Sequence, residues 1–328
     1  MSGGKPGVLP EMAAPAPEIA LCICTYDRYD LLPKAIESAA KQSLSPSEYE
    51  ILVIDNSPDG ERAEAFARGL PVLENLRYFI ERTPGLSNAR NVAAKLARAP
   101  LIAFMDDDAI AAPDWAAEVA IAFHQFGPQA QIVGGRVDPI WGAPRPPWLH
   151  DELLGALSII DWGGDTRIVS KGEWMVGTNI AFRTRAILDN GGFARNLGRI
   201  GPGSVLLSNE ETHLIESICE RGGWLIWAPR ARVAHLVDAA RLDRSWFRKR
   251  LAWQAMSDFL MGADGRPANA NQSWKKLLDY FNALPPTERT IRGLACDLDD
   301  PEMFLWQTKA SYELARLMLA GFEGVDLG

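Results

Sequence analysis

Three aspartates in a row, Asp106, Asp107 and Asp108, follow the apolar run Leu101 to Met105 in LIAFMDDDAIAAPDW. That run reads as a fully buried strand, so three mutually repelling carboxylates stand at the tip of a core element. Two other apolar runs also end in polar groups: ICTYDR carries Thr25 and Tyr26, and VIDNSPDG carries Asp55. Each alone reads as a turn. Together they suit a nucleotide whose base and ribose are held by side chains and whose phosphates are held through a metal. Bare carboxylates would repel a pyrophosphate. A hard divalent cation such as Mg²⁺ or Mn²⁺, bound by one or two carboxylates, bridges the two and stabilises the charge on a departing diphosphate. No GxGxxG follows the first strand, which points away from a Rossmann dinucleotide site.

For these groups to converge, the strands that carry them must run the same way. IALCICT, EILVID, LRYFIE, LIAFM and QIVGGRV read as strands. They alternate with helical stretches in LLPKAIESAAKQS, ERAEAFARG, SNARNVAAKLARA and PDWAAEVAIAFHQF, the last with Pro113 suited to its first turn. This rhythm predicts an α/β fold, a mostly parallel sheet sandwiched by helices with functional groups beyond the carboxyl ends of the strands. After Val137 the pattern breaks into the loop PIWGAPRPPWL, flanked by Trp141 and Trp148. Glu173 to Phe182 reads as extended, NEETHLIESICERGG as a helix with Asn209 at its N-cap, and WLIWA and ARVAH as two strands. From about Leu242 three helical stretches follow. The expected boundaries are a disordered tail over 1–17, a catalytic-type α/β domain over 18–240 and a C-terminal helical extension over 241–328.

The 328 residues are 47% hydrophobic and 23% charged, with a net charge of −8, which argues against a general nucleic-acid binder. Cys22, Cys24, Cys219 and Cys296 show no metal or disulfide spacing and are expected as buried free thiols in a reducing compartment. No run of 18 apolar residues and no secretory leader pattern occurs, so a cytoplasmic protein is expected. One segment departs from the overall charge. Arg230 to Arg250 holds seven basic residues against two aspartates, an excess of +5, interleaved with Trp246, Phe247, Leu251 and Trp253. Three uses are open: peripheral contact with an anionic surface at the inner face of the cytoplasmic membrane, a hold on a phosphorylated ligand, or a solvated helix face.

In this order, ICTYDR, VIDNSPDG, GLSNARN, FMDDDA, GTNIAFRTRAILDNGGF, NEETHL and His235 resemble the family 2 glycosyltransferases of the GT-A fold, from about Ile19 to His235. The resemblance implies that Thr25, Tyr26 and Asp55 hold the donor's base, with Arg90 nearby. Asp106 and Asp107 would touch the donor's ribose or sugar, and Asp108 and His235 would serve a Mn²⁺ or Mg²⁺ ion. It places the catalytic base at Glu211, in a pair with Glu210, where the family usually has Asp; Glu210 and His213 stay as alternates. It sets Gly177 near the acceptor, and with it Trp174 and Asn179. The implied activity is inverting transfer of one sugar from a nucleoside diphosphate to a hydroxyl of a glycan or lipid-linked acceptor. A UDP-sugar is favoured, with GDP and dTDP as other donors. The absence of QxxRW and of long apolar spans argues for single-sugar addition. Two further readings are kept, a nucleotidyltransferase and a sugar-nucleotide-binding protein of the same fold without turnover.

Overall fold

A computed structural model describes residues 16–195, 197, 206, 208–261 and 270–320. The expected tail therefore lies outside the described residues except for Ala16 and Pro17, as do 262–269 and 321–328 of the expected helical extension. The centre of the molecule is a mixed sheet. Strand β1 (Ile19–Thr25) pairs in parallel with β2 (Tyr49–Asp55) and with β4 (Leu101–Asp106), and β2 pairs in parallel with β3 (Leu76–Ile80). Beyond β4 the sheet passes through the antiparallel β8 (Ile180–Arg183) to β6 (Ala130–Trp141), then through β9 (Trp224–Val237) to the short β5 (Ala109–Ala111). The two-residue β7 (Arg167–Ile168) pairs with β9. Six of these nine strands run in one direction, so the sheet is mostly parallel, as the strand–helix alternation predicts.

Alternation along β1 explains the two layers that cover the sheet. Ile19, Leu21 and Ile23 face one side and Ala20 and Cys22 the other, and none is exposed to solvent. A strand buried on both faces reads as one apolar run. On the first side pack α1 (Leu32–Ala40), with Leu32, Ala35 and Ile36, and α4 (Trp115–Phe126), with Trp115, Val119 and Phe123. On the second pack α3 (Leu86–Leu96), α5 (Thr184–Asp189) and α6 (Glu210–Glu220). Helix α2 (Gly60–Arg68) is capped by the Asp59 side chain, which accepts from the Arg62 backbone N–H at 3.1 Å. The C-terminal helices are α7 (Arg244–Met261), α8 (Ala270–Ala283) and α9 (Pro301–Ala320). They join the rest through Trp148, which meets Phe304 and Phe247 edge-on at 4.9 and 5.7 Å between ring centres.

Several local expectations change. WLIWA and ARVAH belong to one strand, β9, despite Pro229 between them. Gly135 of β6 pairs with Ala228 and Val137 with Val233, so the intervening residues of β9 leave the ladder as a bulge. Gly135 makes this possible, because a Cβ there would stand 1.9 Å from the Ala231 carbonyl oxygen. Pro113 lies ahead of the first turn of α4, not within it. Between Glu173 and Phe182, Gly177–Asn179 forms a 3₁₀ turn and regular strand begins only at Ile180. Asn209 occupies the N-cap position of α6 but makes no side-chain cap bond. Of the cysteines only Cys22 is buried; Cys24 and Cys296 are half-buried and Cys219 is exposed on α6. Among the described residues no helix is long and apolar enough to cross a membrane.

Candidate active site

Parallel pairing sets the polar strand ends side by side. Thr25 of β1 stands opposite Asp55 of β2, and Cys24 opposite Asp106 of β4. A cavity of about 980 Å³ opens over this edge. Thr25, Tyr26, Arg28 and the aspartate triplet line one side of it, and Trp174, Gly177, Glu210 and Glu211 line another. Gln254 and Asp258 of α7 contribute a further wall.

The triplet is not a loose strand end. Asp106 closes β4, Asp107 and Asp108 form a tight turn, and β5 then pairs Ala109 with His235 of β9. That pairing brings His235 beside the aspartates. Thr25 Oγ1 donates to Asp107 Oδ2 at 2.7 Å, and Arg28 Nη1 donates to Asp108 Oδ2 at 2.7 Å. Burial pushes the Asp107 carboxyl up to about 7; Asp108 and Asp106 add to the rise, while Arg28 opposes it. Burial acts on Asp108 in the same sense, but His235, Arg28 and Arg241 outweigh it and hold that carboxyl well below the usual range.

These residues fit a divalent cation. Asp106, Asp108 and His235 can each offer one ligand atom, all within 4.8 Å of one another. His235 Nδ1 lies 3.0 Å from the Leu157 carbonyl oxygen, which can only accept, so Nδ1 carries the proton. Nε2 then faces Asp108 Oδ1 at 3.2 Å. A ring with Nδ1 tied to that carbonyl directs Nε2 at the same point as the Asp108 carboxylate, so both could ligate one cation.

Across the cavity, Arg90 of α3 is 3% exposed and donates from Nη1 to Glu210 Oε1 at 3.0 Å. Its Nη2 stands 3.9 Å from Asp106 and its Nη1 3.9 Å from Glu211 Oε2. Burial would lower the Arg90 guanidinium, but Glu210, Glu211 and Asp106 reverse this and keep it charged. Gly177 leaves the space that Arg90 fills, since a Cβ there would lie 2.2 Å from Nη2. The Gly177 N–H donates to Glu211 Oε1 at 3.1 Å, and the next residue, Thr178, donates from its hydroxyl to Asp106 Oδ2 at 2.5 Å. Glu211 Oε2 is buried and accepts no hydrogen bond. An acceptor atom in that state lacks about one hydrogen bond's worth of stabilisation, and it belongs to a carboxylate that lines the cavity.

Three residues expected in the site stand apart from it. Asp55 is fully buried and does not line the cavity; its Oδ1 accepts from the Ser57 backbone and hydroxyl, and its Oδ2 from the Tyr29 and Tyr78 hydroxyls. Asn179 is locked inside the sheet, donating to the Arg136 and Ala231 carbonyls at 2.9 and 2.8 Å and accepting from Trp115 Nε1 at 2.8 Å. His213 points to solvent from the outer face of α6. Trp141 and Trp148 pack in the hydrophobic cluster with α7 and α9, whereas Trp174 lines the cavity and is 40% exposed. Arg28, Thr178 and the α7 residues Gln254 and Asp258 join the site beyond the residues expected from sequence. Arg28 is legible within CTYDR; the others carry no local pattern.

The basic segment is largely neutralised. Arg230 pairs with Glu118 at 2.6 Å, Arg232 with Asp138 at 2.9 Å, Arg244 with Asp299 at 2.6 Å and Arg248 with Asp297 at 3.5 Å. Arg241 and Arg250 line the cavity, and Phe247 is buried under Trp246.

Comparison with known proteins agrees with this architecture. The profile of glycosyl transferase family 2 matches residues 20–189. A glucosyl-dolichyl phosphate glucuronosyltransferase of Haloferax volcanii is 28% identical over 246 residues, 74% of this chain and 77% of the relative. A validoxylamine A glucosyltransferase of Streptomyces hygroscopicus subsp. limoneus is 25% identical over 333 residues, 88% of this chain and 72% of the relative. A mannosyltransferase from Pyrobaculum calidifontis, solved with GDP-Man and Mn2+, superposes with a TM-score of 0.60 at 18% identity, covering 94% of this chain and 88% of that one. With the family profile spanning more than half of its length and a GT-A sheet bearing its acidic residues on one edge, the chain belongs to glycosyl transferase family 2 and is a glycosyltransferase.

Proposed function

We propose that the protein is an inverting, metal-dependent glycosyltransferase that moves one sugar from a nucleoside diphosphate to an acceptor hydroxyl, with Glu211 as the general base. The observation that carries this reading is the Glu211 carboxylate, which lines a cavity whose other side bears Asp106, Asp108 and His235 and whose Oε2 accepts no hydrogen bond. An acceptor hydroxyl donating to that oxygen gives up its proton as it attacks the anomeric carbon from the face opposite the leaving diphosphate. One displacement inverts the centre. Arg90 and the Gly177 N–H hold the Glu210–Glu211 pair, and Glu211 keeps one oxygen for the acceptor. Thr25, Tyr26, Asp106 and Asp107 line the donor side. Asp106, Asp108 and His235 would hold a Mn²⁺ or Mg²⁺ ion, which would supply positive charge against the departing diphosphate.

The acceptor is a glycan or a lipid-linked sugar, in keeping with the dolichyl phosphate sugar named for the Haloferax relative. A UDP-sugar is the favoured donor. For the basic segment, a hold on phosphate is favoured by Arg241 and Arg250, which line the cavity. Glu211→Gln is expected to bind donor nucleotide as wild type does while transfer falls about 10²- to 10⁴-fold; transfer at the wild-type rate would remove Glu211 as base. Thermal shifts with UDP, GDP and dTDP, each with and without Mn²⁺, identify the donor base by mass action. Asp108→Ala should lose the Mn²⁺-dependent part of the shift, and a shift left intact would take Asp108 out of the metal site.

A further inference from the structure

Asp108 stands against two arginines and a histidine. One carboxylate oxygen faces His235, and the other lies 2.7 Å from Arg28 Nη1 and 3.9 Å from Arg241 Nη2. Arg28 also reaches Asp107 Oδ1 at 3.3 Å. Both arginines line the cavity over the strand ends, Arg28 from the loop after β1 and Arg241 from the turn before α7. Arg28 keeps about a third of its side chain exposed, at 34%, so it can leave the aspartates without unpacking the core.

The charges of this cluster do not balance in every state. Asp106, Asp107 and Asp108 carry at most three negative charges, and Arg28 and Arg241 return two. Arg90 is engaged by Glu210 on the far side. A divalent cation placed on Asp106, Asp108 and His235 would then sit among two guanidiniums that already occupy Asp108, and the cluster would become net positive in a poorly solvated space. A diphosphate arriving with the cation restores the balance and gives the guanidiniums an acceptor with better geometry, because arginine matches phosphate oxygens with paired N–H donors.

We propose that Arg28, assisted by Arg241, is an exchangeable counter-ion: it neutralises Asp107 and Asp108 in the free protein and moves to the donor's diphosphate when a divalent cation takes Asp108. Cation and nucleoside diphosphate therefore bind as a cooperative pair, and the cation alone binds poorly. By linkage, the factor by which the nucleotide tightens the cation equals the factor by which the cation tightens the nucleotide. This rests on the metal-dependent reading of the site given above.

The test is a Mn²⁺ titration of the full chain followed by the paramagnetic resonance of free Mn²⁺, with and without saturating UDP or GDP, on wild type, Arg28→Gln and Arg241→Gln. Wild type is expected to bind Mn²⁺ about tenfold or more tightly with the matching nucleotide than without. Arg28→Gln is expected to bind Mn²⁺ alone more tightly than wild type and to lose most of the cooperativity. Arg241→Gln, on a separate element, should move the same way by less, and decides the matter if Arg28→Gln does not fold. Equal Mn²⁺ affinity with and without nucleotide in wild type would overturn the exchange, as would unchanged or weaker binding of Mn²⁺ alone in the folded arginine variants. If no nucleotide brings Mn²⁺ onto wild type and Mn²⁺ does not bind alone, the metal-dependent reading itself falls, a result distinct from loss of cooperativity only.

Discussion

Arg90 and Gly177 are expected to matter to the reaction without touching a substrate. Arg90 is buried where only strong partners keep a guanidinium, between Glu210 and Asp106, and Gly177 is glycine because the guanidinium lies where its side chain would start. Gly177→Ala therefore forces Arg90 or the 3₁₀ turn to move by more than an ångström. The expected outcome is a folded protein destabilised by about 1–3 kcal/mol, typical of overpacking, with turnover reduced roughly tenfold or more because the displaced turn or guanidinium no longer holds the Glu210–Glu211 pair in place. Thermal melting read beside transfer rate checks this; wild-type turnover in a destabilised variant would separate Gly177 from catalysis. In the sequence these residues are visible only as types within GLSNARN and GTNIAF. The motif places Arg90 only near the donor, and its bond to Glu210, 120 residues away, has no local signature.

At the scale of elements, α6 starts in an unusual way. Asn209 has φ +76°, a left-handed conformation that Asn tolerates better than most residues. Its side chain turns from the helix to α7, donating to Asp258 Oδ1 at 2.7 Å and accepting from Gln254 Nε2 at 2.9 Å. Tyr312 of α9 donates to the other Asp258 oxygen at 2.6 Å. The C-terminal helices thus fix the residue immediately before Glu210 and Glu211. Asp258→Ala should cost about 1–3 kcal/mol through donors left without an acceptor, lower kcat and leave the donor's KM near wild type; a raised donor KM at unchanged kcat would show that Asp258 acts elsewhere. Strands β1, β2 and β4 are readable in sequence because each is one apolar run ending in a polar group. β5 and β7 are too short to register, β9 is masked by Pro229, and Asn209 with Asp258 is a pairing across 49 residues that periodicity cannot reveal.

Over the whole molecule the buried carboxyls give stability a pH dependence. Burial first, and the neighbouring Glu211 second, raise Glu210 to about 8 against the pull of Arg90. A carboxyl raised in the folded state holds its proton more firmly there than in the unfolded chain. Its contribution is complete below the ordinary carboxylate range and is lost as pH rises through about 8. Wild type should melt at progressively lower temperature across that window, and Glu210→Gln, which cannot ionise, should flatten the slope. Melting curves at intervals from about pH 5 to about pH 9 decide it; identical slopes would exclude Glu210 as the source.

Two adjacent residues span the cavity between its acidic groups. Thr178 holds Asp106 by its hydroxyl, and Gly177 holds Glu211 by its backbone N–H. The two carboxylates are thereby tied to neighbouring positions of one chain segment, whose Cα atoms stand about 3.8 Å apart. Tyr26, Trp174 and Gln254 line the same cavity outside that segment. Substitutions there can re-tailor the sugar accepted or the molecule that receives it while that tie stays fixed. Substrate choice is open to drift in such an arrangement, and the distance at which a bond is exchanged is not.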